Sequence, residues 1–247
     1  MRRAALPMYD WPEARGESLA FWRGVRANMQ GEAPGVDLPE ALEVLDWEGV
    51  QALWRDPAMV FSQTCWGPLS LGLIEHVKPL AQPEYSTFAG GRGVFYRSAL
   101  IAREGEALAV PETPETPEAA LPEDLLAGRI FAYNSKDSLS GYLGLARDLG
   151  AAPEVFARRT VATGGHRASV QAVAAGRAEI AAIDCRSWAM AQRYEPCAAA
   201  LTVVGWTSER LGLPYVTSRK TPEHIAERLR KALITLGCLE VPAGRME

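Results

Sequence analysis

Two short stretches of this chain carry residues that could hold an anion. They are Asn134-Ser135-Lys136-Asp137-Ser138-Leu139-Ser140-Gly141 and Thr163-Gly164-Gly165-His166-Arg167-Ala168-Ser169. Each supplies hydroxyls and glycine where a strand is expected to end and a helix to begin. A helix start offers free backbone N–H groups and the positive end of the helix dipole, which together favour a small negative charge. Ser138 and Ser140 add hydroxyl donors, Gly141 lets a ligand approach the backbone, and His166 stands at the mouth of the second helix. A third strand end, Glu179-Ile180-Ala181-Ala182-Ile183-Asp184, delivers a carboxylate. Each feature has a plainer reading as well. Serines before helices are ordinary N-caps, and Asp184 is suited to cap the helix that contains Trp188.

The elements that must position these residues follow from periodicity. Arg129 to Tyr133 is a short apolar run between Gly128 and the polar turn, the mark of a buried strand. Leu139, Leu143, Ala146 and Leu149 then recur at helical spacing until Gly150. Val161-Ala162 ends a second strand, and Ser169, Val170, Val173 and Ala174 continue into a helix that stops at Gly176. In open α/β sheets ligands bind outside the carboxyl ends of the strands, so three such ends define one candidate site.

With these residues in view the chain resembles the phosphate and phosphonate substrate-binding proteins of ABC transporters. The resemblance rests on Ser138-x-Ser140-Gly141-Tyr142, on Thr163-Gly164-Gly165-His166 with Ser169 and Ala172-Val173-Ala174-Ala175-Gly176, and on Ala181-Ala182-Ile183-Asp184. In the first half it extends to Leu6-Pro7-Met8-Tyr9-Asp10, Gln63-Thr64-Cys65-Trp66-Gly67-Pro68-Leu69 and Tyr96-Arg97-Ser98. It implies an α/β, two-lobed periplasmic-binding-protein-like fold, each lobe a mixed sheet flanked by helices, with a ligand cleft between the lobes. Ser138, Ser140, Gly141 and Tyr142 would then hold the anionic group, His166 would donate a further hydrogen bond, and Asp184 would accept from a protonated oxygen or an amine. Tyr9, Thr64, Cys65 and Tyr96 complete the ligand-binding set, with Ser98 bordering the cleft at the hinge. Tyr9 reads equally well as an aromatic plug, and Trp66 as a core residue or a cleft wall. Leu139 departs from the pattern, since a hydroxyl residue is expected between Ser138 and Ser140.

Composition excludes several other classes. The 247 residues are 48% hydrophobic, enough for a sizeable core in one large or two modest domains. A net charge of -4 with scattered basic residues argues against a nucleic-acid surface or a polybasic membrane patch. No window reaches the roughly 18 apolar residues that a membrane span requires. Cys65, Cys185, Cys197 and Cys238 lack the spacing of a zinc site and the density of a disulfide scaffold, so they read as separate thiols. Neither a cofactor nor a metal is expected. The partners implied are a small anionic ligand and, through the resemblance, a transporter permease.

The N-terminus shows arginines but passes directly into an expected strand over Ala4 to Tyr9, without the apolar stretch of an export signal. As written the chain reads as cytoplasmic, and as periplasmic if a signal lies outside it. Residues 1–102 with 203–247 are expected to form a discontinuous first lobe and residues 103–202 the second, joined by crossings near 94–102 and 198–206. The Pro-rich stretch 105–124 reads as a stiff solvated loop, and residues 31–46 as a surface loop and a short strand. The last helix is the best marked: Thr221 as cap, Pro222 in the first turn, Ile225, Leu229, Leu233 and Leu236 on the buried face, Gly237 at the end. Two other functions fit the same fold. One is a cytoplasmic enzyme like those of the alternative menaquinone pathway, built on His166, Asp184 and Cys65; the other is a metabolite sensor.

Overall fold

The computed structural model describes residues 2–29, 37–105 and 113–242, and these divide into two compact units. The first combines Met1–Glu84 with Gly212–Glu247, and the second is Tyr85–Leu211. Part of each loop expected at 31–46 and 105–124 lies outside the described residues.

The first unit opens with strand β1 (Arg3–Ala4), which gives way to a 3-10 turn at Pro7–Tyr9. The strand expected to run on to Tyr9 is cut short because Pro7 fixes its own φ and brings no N–H to a ladder. Helix α1 (Arg15–Met29) buries Trp22, Val25 and Met29 along one stripe. Helix α2 (Trp47–Arg55) starts where the Asp46 carboxylate accepts from the Gly49 N–H at 2.8 Å. Strand β2 (Met59–Gln63) is buried along its whole length and leads into the short helix α3 (Trp66–Ser70). Strand β3 (Val77–Ala81) follows.

The second unit contains β4 (Gly91–Arg92), β5 (Phe95–Tyr96) and β6 (Ser98–Arg103), then β7 (Ile130–Tyr133). A π-turn at Leu139–Leu143 runs directly into helix α4 (Gly144–Leu149), and Gly150 ends it in the left-handed conformation that glycine adopts freely. After β8 (Arg159–Ala162) come helix α5 (His166–Ala174), β9 (Ile180–Asp184) and helix α6 (Cys185–Tyr194). Strands β10 (Leu201–Trp206) and β11 (Arg210–Leu211) close the unit. Its main sheet has the order β10-β6-β9-β7-β8, with β7 parallel to both β8 and β9, and β6 antiparallel to β9. A small sheet of β11, β5 and β4 stands apart.

The chain then returns to the first unit with β12 (Tyr215–Ser218) and helix α7 (Glu223–Thr235). The sheet there has the order β1-β2-β12-β3, and β12 is antiparallel to both its neighbours. Its core is a ring stack in which Phe61 lies between Trp22 and Tyr215, with centroids 5.1 and 5.5 Å away.

Several expectations are corrected. Residues 94–102 and 198–206 are not crossings: Ser98–Arg103 and Leu201–Trp206 pair with each other, and β6 pairs with β9, so hydrogen bonding commits both strands to the second unit. The boundaries accordingly fall at Glu84/Tyr85 and Leu211/Gly212. Thr221 does not cap the last helix, because its hydroxyl is engaged with that of Thr217 at 2.8 Å and Pro222 takes the cap position. Leu236 is 37% exposed; the buried stripe of α7 consists of Ile225, Leu229 and Leu233 with Ala226 and Ala232. Finally, the Pro-rich loop is not merely solvated. The Arg97 guanidinium, 1% exposed, donates to the carbonyls of Thr116, Pro117, Glu118 and Thr207 and lies 3.7 Å from the Glu209 carboxylate.

Candidate functional site

Strands β7, β8 and β9 run in one direction, so their carboxyl ends share one edge of the second unit's sheet. The antiparallel β6 begins at that edge, with Ser98 in register with Asp184. The edge therefore collects Asn134, Thr163, Asp184 and Ser98 from four strands.

Ser138 caps the π-turn, its hydroxyl accepting from the Gly141 N–H at 3.0 Å. The turn is wide: the Leu143 N–H reaches back to the Ser138 carbonyl at 2.9 Å, a five-residue step. Gly141 makes room here, since a Cβ would stand 1.8 Å from Asn134 Oδ1 and force that side chain to move. Ser98 fixes the turn from the neighbouring strand by donating its hydroxyl to the Ser140 carbonyl at 2.9 Å. The result brings Ser140 Oγ to 3.3 Å from Ser138 Oγ and 2.8 Å from His166 Nε2.

His166 is the first residue of α5. The second hydroxyl-rich helix start is tied down locally, with Thr163 Oγ1 2.6 Å from Ser169 Oγ and donating to the Tyr133 carbonyl at 3.0 Å. Asp184 has a double task. One oxygen caps α6 by accepting from the Ser187 N–H at 3.0 Å, and the other lies 3.3 Å from His166 Nε2. Capping and site chemistry, alternatives from sequence alone, are thus carried by the two oxygens of a single carboxylate.

The electrostatics favour a neutral imidazole. Burial pushes His166 below its ordinary value, and the Asp184 carboxylate and then a hydrogen bond to the Ala182 backbone oppose this without cancelling it. A carboxylate beside Nε2 places the ring proton on that nitrogen. Ser140 Oγ can then accept, which leaves its own hydroxyl hydrogen for Ser138 or for a ligand.

Ser138, Ser140, His166 and Asp184 are therefore brought together, with Gly141 supplying the backbone room. Tyr142 is not in this cluster. Its ring packs 5.0 Å from that of Tyr133, and its hydroxyl donates to Glu154 at 2.5 Å. Burial, then the Glu154 hydrogen bond, pushes the phenol up to about 12. Tyr96 is buried in β5 with its ring 5.9 Å from that of Tyr85. Tyr9, Thr64 and Cys65 belong to the first unit: Tyr9 is buried at the end of its 3-10 turn, and Thr64 and Cys65 join β2 to α3. Sequence reasoning missed Glu154, which sits in a short turn with nothing to mark it, and it left Ser98 without its specific role. Among the described residues no group of three His, Cys, Asp or Glu could hold a metal ion.

The fold defines a class. Similar solved structures include PhnD1 from Prochlorococcus marinus in complex with methylphosphonate, with a TM-score of 0.68, 13% identity, and 95% of this chain and 84% of that one covered. A binding protein component of an ABC phosphonate transporter from Pseudomonas aeruginosa, PA3383, matches with a TM-score of 0.63 and 18% identity over 91% of this chain and 76% of that one. XAC2383 from Xanthomonas citri bound to ATP gives 0.65 and 15%, over 95% and 82%. At such identities the likeness is one of fold: two-lobed, α/β and periplasmic-binding-protein-like. No curated protein sequence matches the chain. Residues 72–242 match the family model described as ABC transporter, phosphonate, periplasmic substrate-binding protein, and the chain belongs to that family.

Proposed function

We propose that this chain binds a small phosphorus oxyanion that retains a proton, a phosphonate or phosphate monoanion, as the substrate-binding component of an ABC transporter. One observation carries the reading: two serine hydroxyls, a neutral imidazole and a carboxylate converge at one sheet edge. Hydroxyl hydrogens of Ser138 and Ser140 would be donated to the oxyanion. Asp184 keeps lone pairs beyond those used by Ser187 and His166, so it can accept from a P–OH group. A fully ionised oxyanion beside the same carboxylate would be repelled, which selects for the singly charged form.

The composition of the cluster evokes a Ser–His–Asp relay, but its geometry does not serve one. A relay needs the carboxylate on one ring nitrogen and the hydroxyl on the other. Here both meet Nε2. This supports binding over nucleophilic catalysis, in keeping with a family of transport proteins. A permease is the partner that follows from the reading. The periplasm is the compartment that goes with the family; among the described residues no helix is long and apolar enough to cross a membrane.

The test is calorimetric titration of refolded, ligand-free protein with methylphosphonate, phosphate and sulfate. Binding of the phosphorus oxyanions without sulfate, and recovery of the bound compound unchanged in mass, is the expected result. Equal binding of sulfate would overturn the proton-selective reading, and conversion of the compound would overturn the assignment as a binding protein.

A further inference from the structure

The serine turn is held by side chains from outside it. Its five-residue step is a π-type turn, rare as a free-standing structure and found mostly at functional sites. Ser98 takes the Ser140 carbonyl, and a second side chain of the same unit takes the far end of the turn. Arg210 Nη2 donates to the Gly144 carbonyl at 3.0 Å and to Asp148 Oδ1 at 2.5 Å. The other Asp148 oxygen accepts from the Ser208 N–H at 2.9 Å. The approach is close: a Cβ on Gly144 would stand 2.7 Å from the Leu139 carbonyl oxygen and 2.9 Å from Arg210 Nε.

Both anchors belong to one frame. Arg210 is in register with Tyr96 across β11 and β5. Ser98 and Thr207 are joined twice, the Ser98 N–H donating to Thr207 Oγ1 at 2.8 Å and the Thr207 N–H donating to the Ser98 carbonyl at 3.0 Å. The turn that presents Ser138 and Ser140 is thus gripped at Ser140 and at Gly144 by two segments, 96–98 and 207–211, that are bonded to each other.

Stability alone does not account for the ion pair. The Arg210 and Asp148 side chains are 13% and 5% exposed, and Arg210 Nε is buried with no hydrogen-bond partner among the described residues. Desolvating two charges can cost as much as their attraction returns, and uncharged replacements of buried pairs are often neutral or stabilising. What this pair does supply is a fixed place for the first residue of α4.

We infer that Arg210, oriented by Asp148, is a positioning residue for the oxyanion site: it holds the π-turn in the wide register that sets Ser140 Oγ against His166 Nε2. The inference rests on the oxyanion reading above and adds what keeps that site in shape before a ligand arrives. Released, the turn would tighten toward α-helical spacing and swing Ser140 off the imidazole.

Two measurements on the full chain test this, one with a ligand and one without. The variant is Arg210→Met with Asp148→Asn, which removes both charges and keeps an acceptor for the Ser208 N–H. Its urea midpoint should stay near that of wild type. Methylphosphonate affinity, by calorimetry, should fall at least about tenfold, since the serines are no longer preorganised. Without ligand, the NMR titration of the His166 ring should move up toward the ordinary histidine value, because a loosened turn admits water to a ring that burial now holds low. Its resonance is identified among the three histidines by its loss in His166→Gln. Asp148→Asn alone, which keeps the side-chain shape, is the second variant should the first fold poorly, and it should move both readings the same way.

Either reading left at its wild-type value in a folded variant would overturn the inference, since the pair would then serve the fold only, and the oxyanion reading would stand. If wild type itself binds no phosphonate, the oxyanion reading falls, and the ligand-free titration alone decides whether Arg210 holds the turn.

Discussion

Ser140 and Asp184 meet the same nitrogen of His166, at 2.8 and 3.3 Å from Nε2. A ring hydrogen on that nitrogen would be shared between a hydroxyl and a carboxylate, leaving the serine proton for something else. The three residues come from three different strand ends, so this arrangement is a property of the sheet edge and not of any one loop.

Ser140→Ala should weaken methylphosphonate binding by about 1 to 3 kcal/mol, the usual worth of a hydrogen bond to a charged group. His166→Ala should do the same. Titration calorimetry measures both, and wild-type affinity in the two variants together would remove the site.

Asp184→Asn separates the two tasks of that side chain. Asparagine caps a helix as well as aspartate does, so α6 and the melting temperature should hold. The site, however, would lose its acceptor for a protonated oxygen. Phosphonate affinity should fall and sulfate affinity should rise, as a competition titration would show.

Stability should depend on pH through His166. Its folded value lies below its ordinary one, so the unfolded chain binds more protons as the pH falls below about 6.5. The contribution of the neutral ring is complete above that pH and is lost progressively as the pH drops toward the folded value. Denaturant midpoints compared at pH 7.5 and 5.5 should fall more for wild type than for His166→Gln.

Gly141→Ala should cost about 1 to 3 kcal/mol, because the new methyl group would overlap Asn134 Oδ1. Asn134→Ala in the same protein should recover much of the loss. A double-mutant cycle on urea unfolding reads that coupling, and additive costs would show that the contact is not the cause.

Arg97→Met should destabilise the second unit by at least about 2 kcal/mol. It would strip the buried Thr207 carbonyl and the Glu118 carbonyl of their donor. Hydrogen exchange should quicken around residues 113–120 before it does in α7.

The sequence by itself determined the local frame of the site. Apolar runs bounded by glycine and polar turns marked β7 and β9, helical spacing marked α4 and α5, and the residues at their junctions included Ser138, Ser140, His166 and Asp184. These signals are local, set by backbone preference and by which side chains a short element must bury. Tertiary structure decided the rest. Whether the strand at 98–103 belonged to the first or the second unit depended on its partners β9 and β10, and an apolar run carries no record of its hydrogen-bonding neighbour. The same holds for Thr221, drawn from its helix by Thr217, and for Tyr142, drawn from the serines by Glu154. The meeting of Ser140 and Asp184 on one nitrogen is likewise a consequence of distances between residues remote in the chain. Sequence spacing does not encode such distances; only packing sets them.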